Sequence, residues 1–171
     1  WLLSVRQDDG GWAIPLRTAS AKGQGTLRAL KNPRPIQPDR TKSSSHLVTG
    51  IVLRAFAAHN KRKSEEARVA GGLLASRFFQ PDRYPDRRDA AYWTRFTFPF
   101  WFTDLISALD SLSQLGFASD EPHIIEGINW LTHRQRRNGL WNLNLLKDKS
   151  IEDMSLWISL AFCRVMRRFH P

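Results

Sequence analysis

The feature that most constrains the fold of this chain is a pattern of tryptophan, leucine, glutamine and glycine near both ends. Residues 127–141 read GINWLTHRQRRNGLW, in which Trp130 and Leu131 are followed by Gln135 and a Gly-x-Trp ending. Residues 1–12 read WLLSVRQDDGGW and contain the same residue types in the same order. Because glycine permits the positive φ that ends a helix, each copy predicts a helix end closed by a turn. Two such copies in one chain predict a repeat architecture.

Apolar residues recur at helical spacing in five segments. The first, third and fifth are the more apolar, which is typical of buried helices, whereas the second and fourth are more amphipathic. Equivalent apolar helices recur about every 50–55 residues, the scale of a helix-hairpin repeat. The sequence therefore predicts an all-α fold in which an apolar inner layer and a half-polar outer layer form a curved α/α array or toroid. The predicted helices span residues 46–58, 64–79, 101–115, 124–135 and 151–169.

Residues 17–45 are predicted to form a long basic loop. Prolines at positions 33, 35 and 38 disfavour a helix there, because each removes a backbone donor and restrains its predecessor. The net charge of +10 is concentrated in residues 1–63, which include this loop and contain 12 Lys/Arg against 3 Asp/Glu. Such a loop can contact diphosphate groups, an anionic membrane surface or a nucleic acid. It offers no aromatic ring for base stacking, so nucleic acid is the least favoured partner and a solvated loop is the default.

The single cysteine, Cys163, excludes an intrachain disulfide and a zinc site built from several cysteines. It lies within the apolar pattern of the last helix, which predicts a buried structural thiol. No apolar run approaches the roughly 20 residues that span a bilayer. The chain begins inside a repeat, so we expect a fragment or processed product that forms one domain over residues 1–171. We expect a cytoplasmic protein that can lie at a membrane surface.

Residues 127–141 resemble the glutamine-tryptophan repeat of the terpenoid cyclase and prenyltransferase family, which includes squalene-hopene cyclases and protein prenyltransferase β subunits. Residues 1–12 match it too, and residues 70–80, AGGLLASRFFQ, resemble a degenerate third copy. The resemblance implies an (α/α)6 toroid, of which this chain supplies two complete hairpins and flanking halves. A partial barrel has an exposed apolar edge, so we expect self-association or a protein partner that completes it. The repeated residues are interpreted as structural clamps, in which a tryptophan shields amide hydrogen bonds from water.

The resemblance does not extend to the catalytic motifs of the family. An Asp-x-Asp-Asp run, which protonates polyenes in squalene-type cyclases, does not occur in this sequence, and neither does an Asp-Asp-x-x-Asp diphosphate motif. Family prenyltransferases bind zinc through an aspartate, a cysteine and a histidine, but Cys163 has no ligand at helical spacing. We therefore expect no metal and no cofactor.

Polar residues at the starts of the three inner helices remain as catalytic candidates. In the family these helix starts face the central cavity, where a desolvated aspartate can act as acid or base. Aromatic walls there suit an isoprenoid chain or a carbocation. The structural alternatives are that the aspartates cap their own helices and that the histidine contacts the backbone. The catalytic candidates are His46, Asp104 and Asp153, and the candidate ligand-binding aromatics are Tyr92, Trp93, Phe98, Trp101 and Phe102.

Two functions compete. The first is a toroid domain that binds an isoprenoid or another apolar ligand in an aromatic-lined cavity, with catalysis left open. The alternative is a non-catalytic α/α scaffold that binds a protein partner along its open edge. A basic surface for an anionic polymer is the weakest possibility.

Overall fold

A computed structural model describes residues 1–18, 37–84, 88–96, 102–141, 144–145 and 152–170. This part of the chain is mostly helical with almost no strand, which confirms the predicted all-α class. Most of the predicted basic loop lies outside the described residues. Short 3₁₀ turns occupy Leu3–Val5, Asn60–Lys63 and Ala90–Thr94, and a single α-helical turn occupies Pro15–Thr18. The five longer helices are α1 (His46–Ala57), α2 (Glu65–Ala75), α3 (Leu105–Leu115), α4 (Pro122–Thr132) and α5 (Glu152–Phe169).

Local capping determines where the helices begin and end. The hydroxyls of Ser45 and Ser64 each accept a hydrogen bond from the backbone N–H three residues later, at the starts of α1 and α2. Helix α4 begins at Pro122, which needs no N–H partner in the first turn. Gly116 ends α3 with a φ of +88°.

Two helices are shorter than their apolar patterns predict. After Ala75 the backbone continues in turns and reaches a positive φ of 60° at Phe79, so α2 ends before the apolar run does. Before α3 the residue Asp104 is extended, with φ −116° and ψ 178°, and it caps the helix instead of belonging to it. The predicted helix start at position 101 is therefore wrong.

Helix α3 is the centre of the fold, because it contacts all four of the other long helices. Its most extensive contacts are with α5 and α1, and it also packs on α2 and α4. Leu105, Ile106, Leu109 and Leu112 are completely buried along it. Burying one such side chain stabilises a fold by about 1.5–3 kcal/mol, so α3 supplies a large share of the core.

A two-residue parallel ladder joins the segments that precede α3 and α5, and the sequence does not predict it. Strand β1 (Arg95–Phe96) pairs with β2 (Asn144–Leu145), and Phe96 lies opposite Leu145. Phe96 is fully buried, so this short ladder also contributes to the core.

The two copies of the tryptophan pattern form the same turn. The indole Nε1 of Trp12 donates to the carbonyl of Leu2 at 2.7 Å, and that of Trp141 donates to the carbonyl of Leu131 at 2.7 Å. The glycine two residues before each tryptophan has a positive φ, of 95° in the first copy and 80° in the second. A side chain at either glycine would be strained, so glycine is needed at both positions.

Each tryptophan also contacts the long helix that follows it. The backbone N–H of Trp12 donates to Thr49 Oγ1 of α1 at 2.9 Å, and that of Trp141 donates to Ser159 Oγ of α5 at 3.3 Å. Both tryptophans are buried. Each turn therefore joins the end of one chain segment to the next long helix.

When the two turns are compared, Arg6 rather than Gln7 occupies the position that corresponds to Gln135. Arg6 Nε and Gln135 Nε2 each donate to the carbonyl of the glycine four residues later, at 2.8 and 3.0 Å. Gln7 is buried, and its Nε2 donates to the carbonyls of Asp39 and Lys42 at 2.8 and 2.9 Å. Gln7 thus clamps the N-terminal turn to the segment that leads into α1, whereas exposed Gln135 holds only its own turn.

One side chain predicted to face the core is exposed. Cys163 lies on a different side of α5 from Ile158 and Phe162, which pack inward. The prediction of a buried thiol is wrong, because the apolar residues of α5 extend around more of the helix than its contact with α3 covers.

Two glycines in helix interiors give a matched pair of substitutions. A Cβ on Gly50 of α1 would lie 2.2 Å from Thr103, whereas a Cβ on Gly72 of α2 would meet nothing within 4 Å. Gly50→Ala should therefore destabilise the fold by about 2 kcal/mol through overpacking. Gly72→Ala should stabilise it by about 0.5–1 kcal/mol, because alanine is the better helix former. Urea unfolding measures both, and equal effects of the two changes would contradict this packing.

Candidate functional site

The start of α1 brings His46 beside Asp82, which lies in the segment after α2. His46 Nδ1 lies 3.2 Å from Asp82 Oδ2, and both side chains are 0% exposed. The imidazole stacks on Trp93, with ring centroids 4.4 Å apart and an interplanar angle of 26°. Asp82 is absent from the residues that the sequence singles out, because no spacing links it to His46.

Asp82 is held by the chain around it. Its Oδ2 accepts hydrogen bonds from Ser45 Oγ at 3.1 Å and from the backbone N–H of His46 at 3.0 Å. Its Oδ1 accepts the backbone N–H of Tyr84 at 3.2 Å. A buried carboxylate needs such donors, and a carboxylate at a helix N-terminus is also favoured by the helix dipole. Asp82 therefore fastens the segment after α2 to the start of α1.

Burial lowers the pKa of His46 from 6.5 to about 4, although the nearby Asp82 carboxylate opposes this shift and Arg77 adds to it. Neither ring nitrogen makes a hydrogen bond among the described residues. His46 is therefore neutral near pH 7. With no exposed atom, the pair cannot reach a substrate in this conformation.

The polar cluster continues to the N-terminal turn through Arg77. This guanidinium donates to the carbonyl of Ser44 at 2.9 Å and to Asp9 Oδ2 at 3.1 Å. Burial alone would raise the pKa of Asp9, but hydrogen bonds from Ser44 and Gly11 and the charge of Arg77 hold it below its ordinary value. Asp9 is thus an ionised structural group.

Asp104 occupies the start of α3. Its Oδ1 accepts the backbone N–H of Ser107 at 2.8 Å, and Ser107 Oγ accepts the backbone N–H of Asp104 at 2.9 Å. This reciprocal capping box is the structural alternative that the sequence leaves open for Asp104. Thr103 Oγ1 also donates to the carbonyl of Leu47 at 2.7 Å. The starts of α1 and α3, and with them His46 and Asp104, are therefore neighbours.

Asp153 lies in the first turn of α5, but its side chain lies outside the described part of the chain. The structure thus brings two of the three catalytic candidates to adjacent helix starts. Both His46 and Asp104 are buried there. A catalytic role for any of the three stays a prediction, and for these two it requires the helix starts to open to solvent.

The predicted ligand-binding aromatics divide into three groups. Trp93 is completely buried and its Nε1 donates to the carbonyl of Gln80 at 3.1 Å. Tyr92 and Phe102 are half-buried. The remaining two, Phe98 and Trp101, lie outside the described residues. Trp93 therefore belongs to the core, where its ring centroid lies 5.0 Å from that of Phe78 in an edge-to-face arrangement. Among the described members of this set, the half-buried pair offers accessible ring surface.

A groove of about 480 Å³ lies at the C-terminal end of α3, and the sequence does not predict it. It runs between the start of α2 and the connection from α3 to α4. Leu115 and Phe117 contribute apolar surface, while Arg62, Lys63 and Arg68 make the groove basic. The other lining residues are Ser64, Gly72, Gly116 and Glu121.

Metal binding and membrane insertion can be examined for the described ranges. In these ranges no three His, Cys, Asp or Glu side chains lie grouped as metal ligands. Of the described helices, none has both the length and the apolar character needed to cross a bilayer.

Comparison of the chain with protein-family models, with curated proteins and with solved structures finds no match.

The lowered pKa of His46 predicts a pH dependence of stability. Between pH 6.5 and about 4, the unfolded chain binds a proton at this histidine and the folded chain does not. The free energy of unfolding should therefore fall as the pH drops through this window, by about 1 kcal/mol per pH unit. Urea unfolding of wild type and His46→Gln measures it, and the substitution should remove this part of the slope.

Substitution of the exposed His133 by Gln is the control, and it should leave the slope unchanged. A slope that is the same in wild type and His46→Gln would show that His46 is already protonated in the folded state.

Proposed function

We propose that this chain is an α/α hairpin-repeat domain that acts as a scaffold and binds a further helix on one face of α5. The ends of α2 and α4 support the repeat. After α2, the N–H groups of Ser76 and Phe78 donate to the carbonyls four and three residues earlier. After α4, those of His133 and Gln135 make the same two bonds. Together with the duplicated tryptophan turn, this agreement favours a curved array or toroid of hairpins.

Hydrogen bonds also suggest how the inner helices correspond. Thr49 of α1 and Ser159 of α5 both accept the N–H of a tryptophan in the preceding turn. Ser45 and Asp104 both cap their helices by accepting the N–H three residues later, so Thr49 corresponds to Ala108 of α3. Ala108 therefore corresponds to Ser159, and the same offset matches each of the remaining residues of α3 to a residue of α5.

Four residues of α3 are completely buried: Leu105, Ile106, Leu109 and Leu112. Helix α4 covers two of them, because a Cβ on Gly127 would lie only 3.1 Å from Leu105 and 3.4 Å from Leu109. A glycine at this point lets the two helices approach closely. The outer helix of this hairpin therefore packs directly on these positions of the inner helix.

On α5, the corresponding four positions are exposed, and this observation carries the proposal. Leu156, Trp157 and Leu160 are 48%, 52% and 50% exposed, and Cys163 is exposed as well. We call these four residues the α5 face. Covering Leu156 and Leu160 would each contribute about 1 kcal/mol, roughly half the value for complete burial. In the order given, they correspond to Leu105, Ile106, Leu109 and Leu112 of α3.

A second candidate function is the binding of an isoprenoid or another apolar ligand near the start of α3. It rests on the resemblance of the tryptophan turns to terpenoid cyclase repeats and on the accessible rings of Tyr92 and Phe102. Catalysis by Asp104 or His46 would be an extension of this function.

The scaffold proposal predicts concentration-dependent association through the α5 face. Leu160→Glu places a charge in the middle of this face, so it should lower the apparent mass that light scattering measures at high protein concentration. Ile51→Glu on α1 is the matched control, because Ile51 is 43% exposed and the charge change is identical. A wild-type protein that stays a monodisperse monomer at high concentration would count against the proposal.

The ligand proposal predicts that a polyprenyl compound raises the Tm of the wild-type protein. Trp101→Ala should abolish the rise, because an aromatic wall supplies most of the apolar contact. Trp157→Ala, on the α5 face, should keep it. If no polyprenyl compound shifts the Tm, an isoprenoid ligand is excluded.

A further inference from the structure

The surface of α5 changes in character along the helix. The α5 face presents Leu156 and Leu160, which are about half-exposed. Beside and beyond this face, towards the C-terminal end of the helix, lie Arg164 and Arg167, both exposed. At 100° per residue these four side chains lie within about 80° of one another, so a single partner helix can cover them together.

The packing of α4 on α3 indicates how such a partner lies. Six residues connect the end of α3 at Leu115 to the start of α4 at Pro122, and a connection this short joins antiparallel neighbours. The partner of α5 would then begin near Arg164 and Arg167 and pass over Leu160 and Leu156. Its first turns would meet the two arginines.

We propose that the helix covering the α5 face is an acidic amphipathic helix of a partner protein, antiparallel to α5. An apolar stripe packs on Leu156 and Leu160, and Asp or Glu residues in its first two turns lie beside Arg164 and Arg167. Acidic residues suit this end of the partner twice, because they pair with the arginines and complement the dipole of their own helix. This inference rests on the proposed scaffold function and adds the chemistry of the partner.

Two synthetic helical peptides test the inference. They share one leucine stripe and differ only in the first two turns, which contain glutamates in one peptide and lysines in the other. Fluorescence anisotropy at protein concentrations below self-association measures each Kd. The glutamate peptide should bind about fivefold more tightly at low salt, and raising the salt should reduce this preference because exposed ion pairs are screened.

A pair of charge reversals locates the preference. Arg164→Glu with Arg167→Glu should invert it in favour of the lysine peptide. The net charge of +10 attracts any acidic peptide, so Arg62→Glu with Lys63→Glu serves as the control with the same change of charge. This control should keep the preference for the glutamate peptide. Circular dichroism checks that both variants are folded.

Cys163 reports where the peptide binds, because it is the only cysteine of the chain and lies on the α5 face. The glutamate peptide should slow its alkylation by iodoacetamide severalfold. Equal affinities for both peptides, with Cys163 protected, would overturn the acidic partner and leave the scaffold function standing. A preference that only the Arg62/Lys63 variant loses would place the peptide elsewhere and overturn the inference.

If neither peptide binds or protects Cys163, the inference fails, while light scattering of Leu160→Glu still decides the scaffold function independently. Strong self-association that the glutamate peptide does not displace would identify a second copy of this chain as the occupant and would also overturn the inference.

Discussion

The fold depends on the burial of α3 among its neighbours. All four of the other long helices contact it, and its Leu105, Ile106, Leu109 and Leu112 are completely buried. A short helix gains little from its own hydrogen bonds in water, so α3 is stable because it is covered. The same requirement applies to the other buried helices, and the degree to which each is covered differs along the chain.

Polar residues at the helix starts serve this packing. Asp82 and Asp104 accept N–H groups that would otherwise be buried without a partner at the starts of α1 and α3. His46 fills the space against Trp93 as a neutral ring, since burial disfavours its charge. A buried polar residue at a helix start therefore has a structural explanation here before any catalytic one is needed.

The sequence predicts the parts of this structure that depend on local patterns. Helix α1 and the glycines of both turns follow from apolar spacing and backbone preferences alone. Contacts between distant segments do not, because no local pattern encodes them. The pairing of His46 with Asp82 and the ladder of β1 with β2 are of this kind. The prediction of a buried Cys163 is wrong for a related reason, since an apolar pattern reports which face can be buried and not whether a neighbour covers it.

Under the proposed hairpin repeat, this difference in coverage becomes informative. If α3 and α5 occupy related positions, as proposed, the surroundings of one helix provide the expected surroundings of the other. Leu109 is enclosed and its counterpart Leu160 is half-exposed, although both are leucines on helices of the same class. The residue type cannot account for that difference in exposure, whereas the packing of α4 on Leu109 can. A half-covered leucine on a repeat helix therefore indicates an interaction surface more strongly than exposure does on a helix without an internal counterpart.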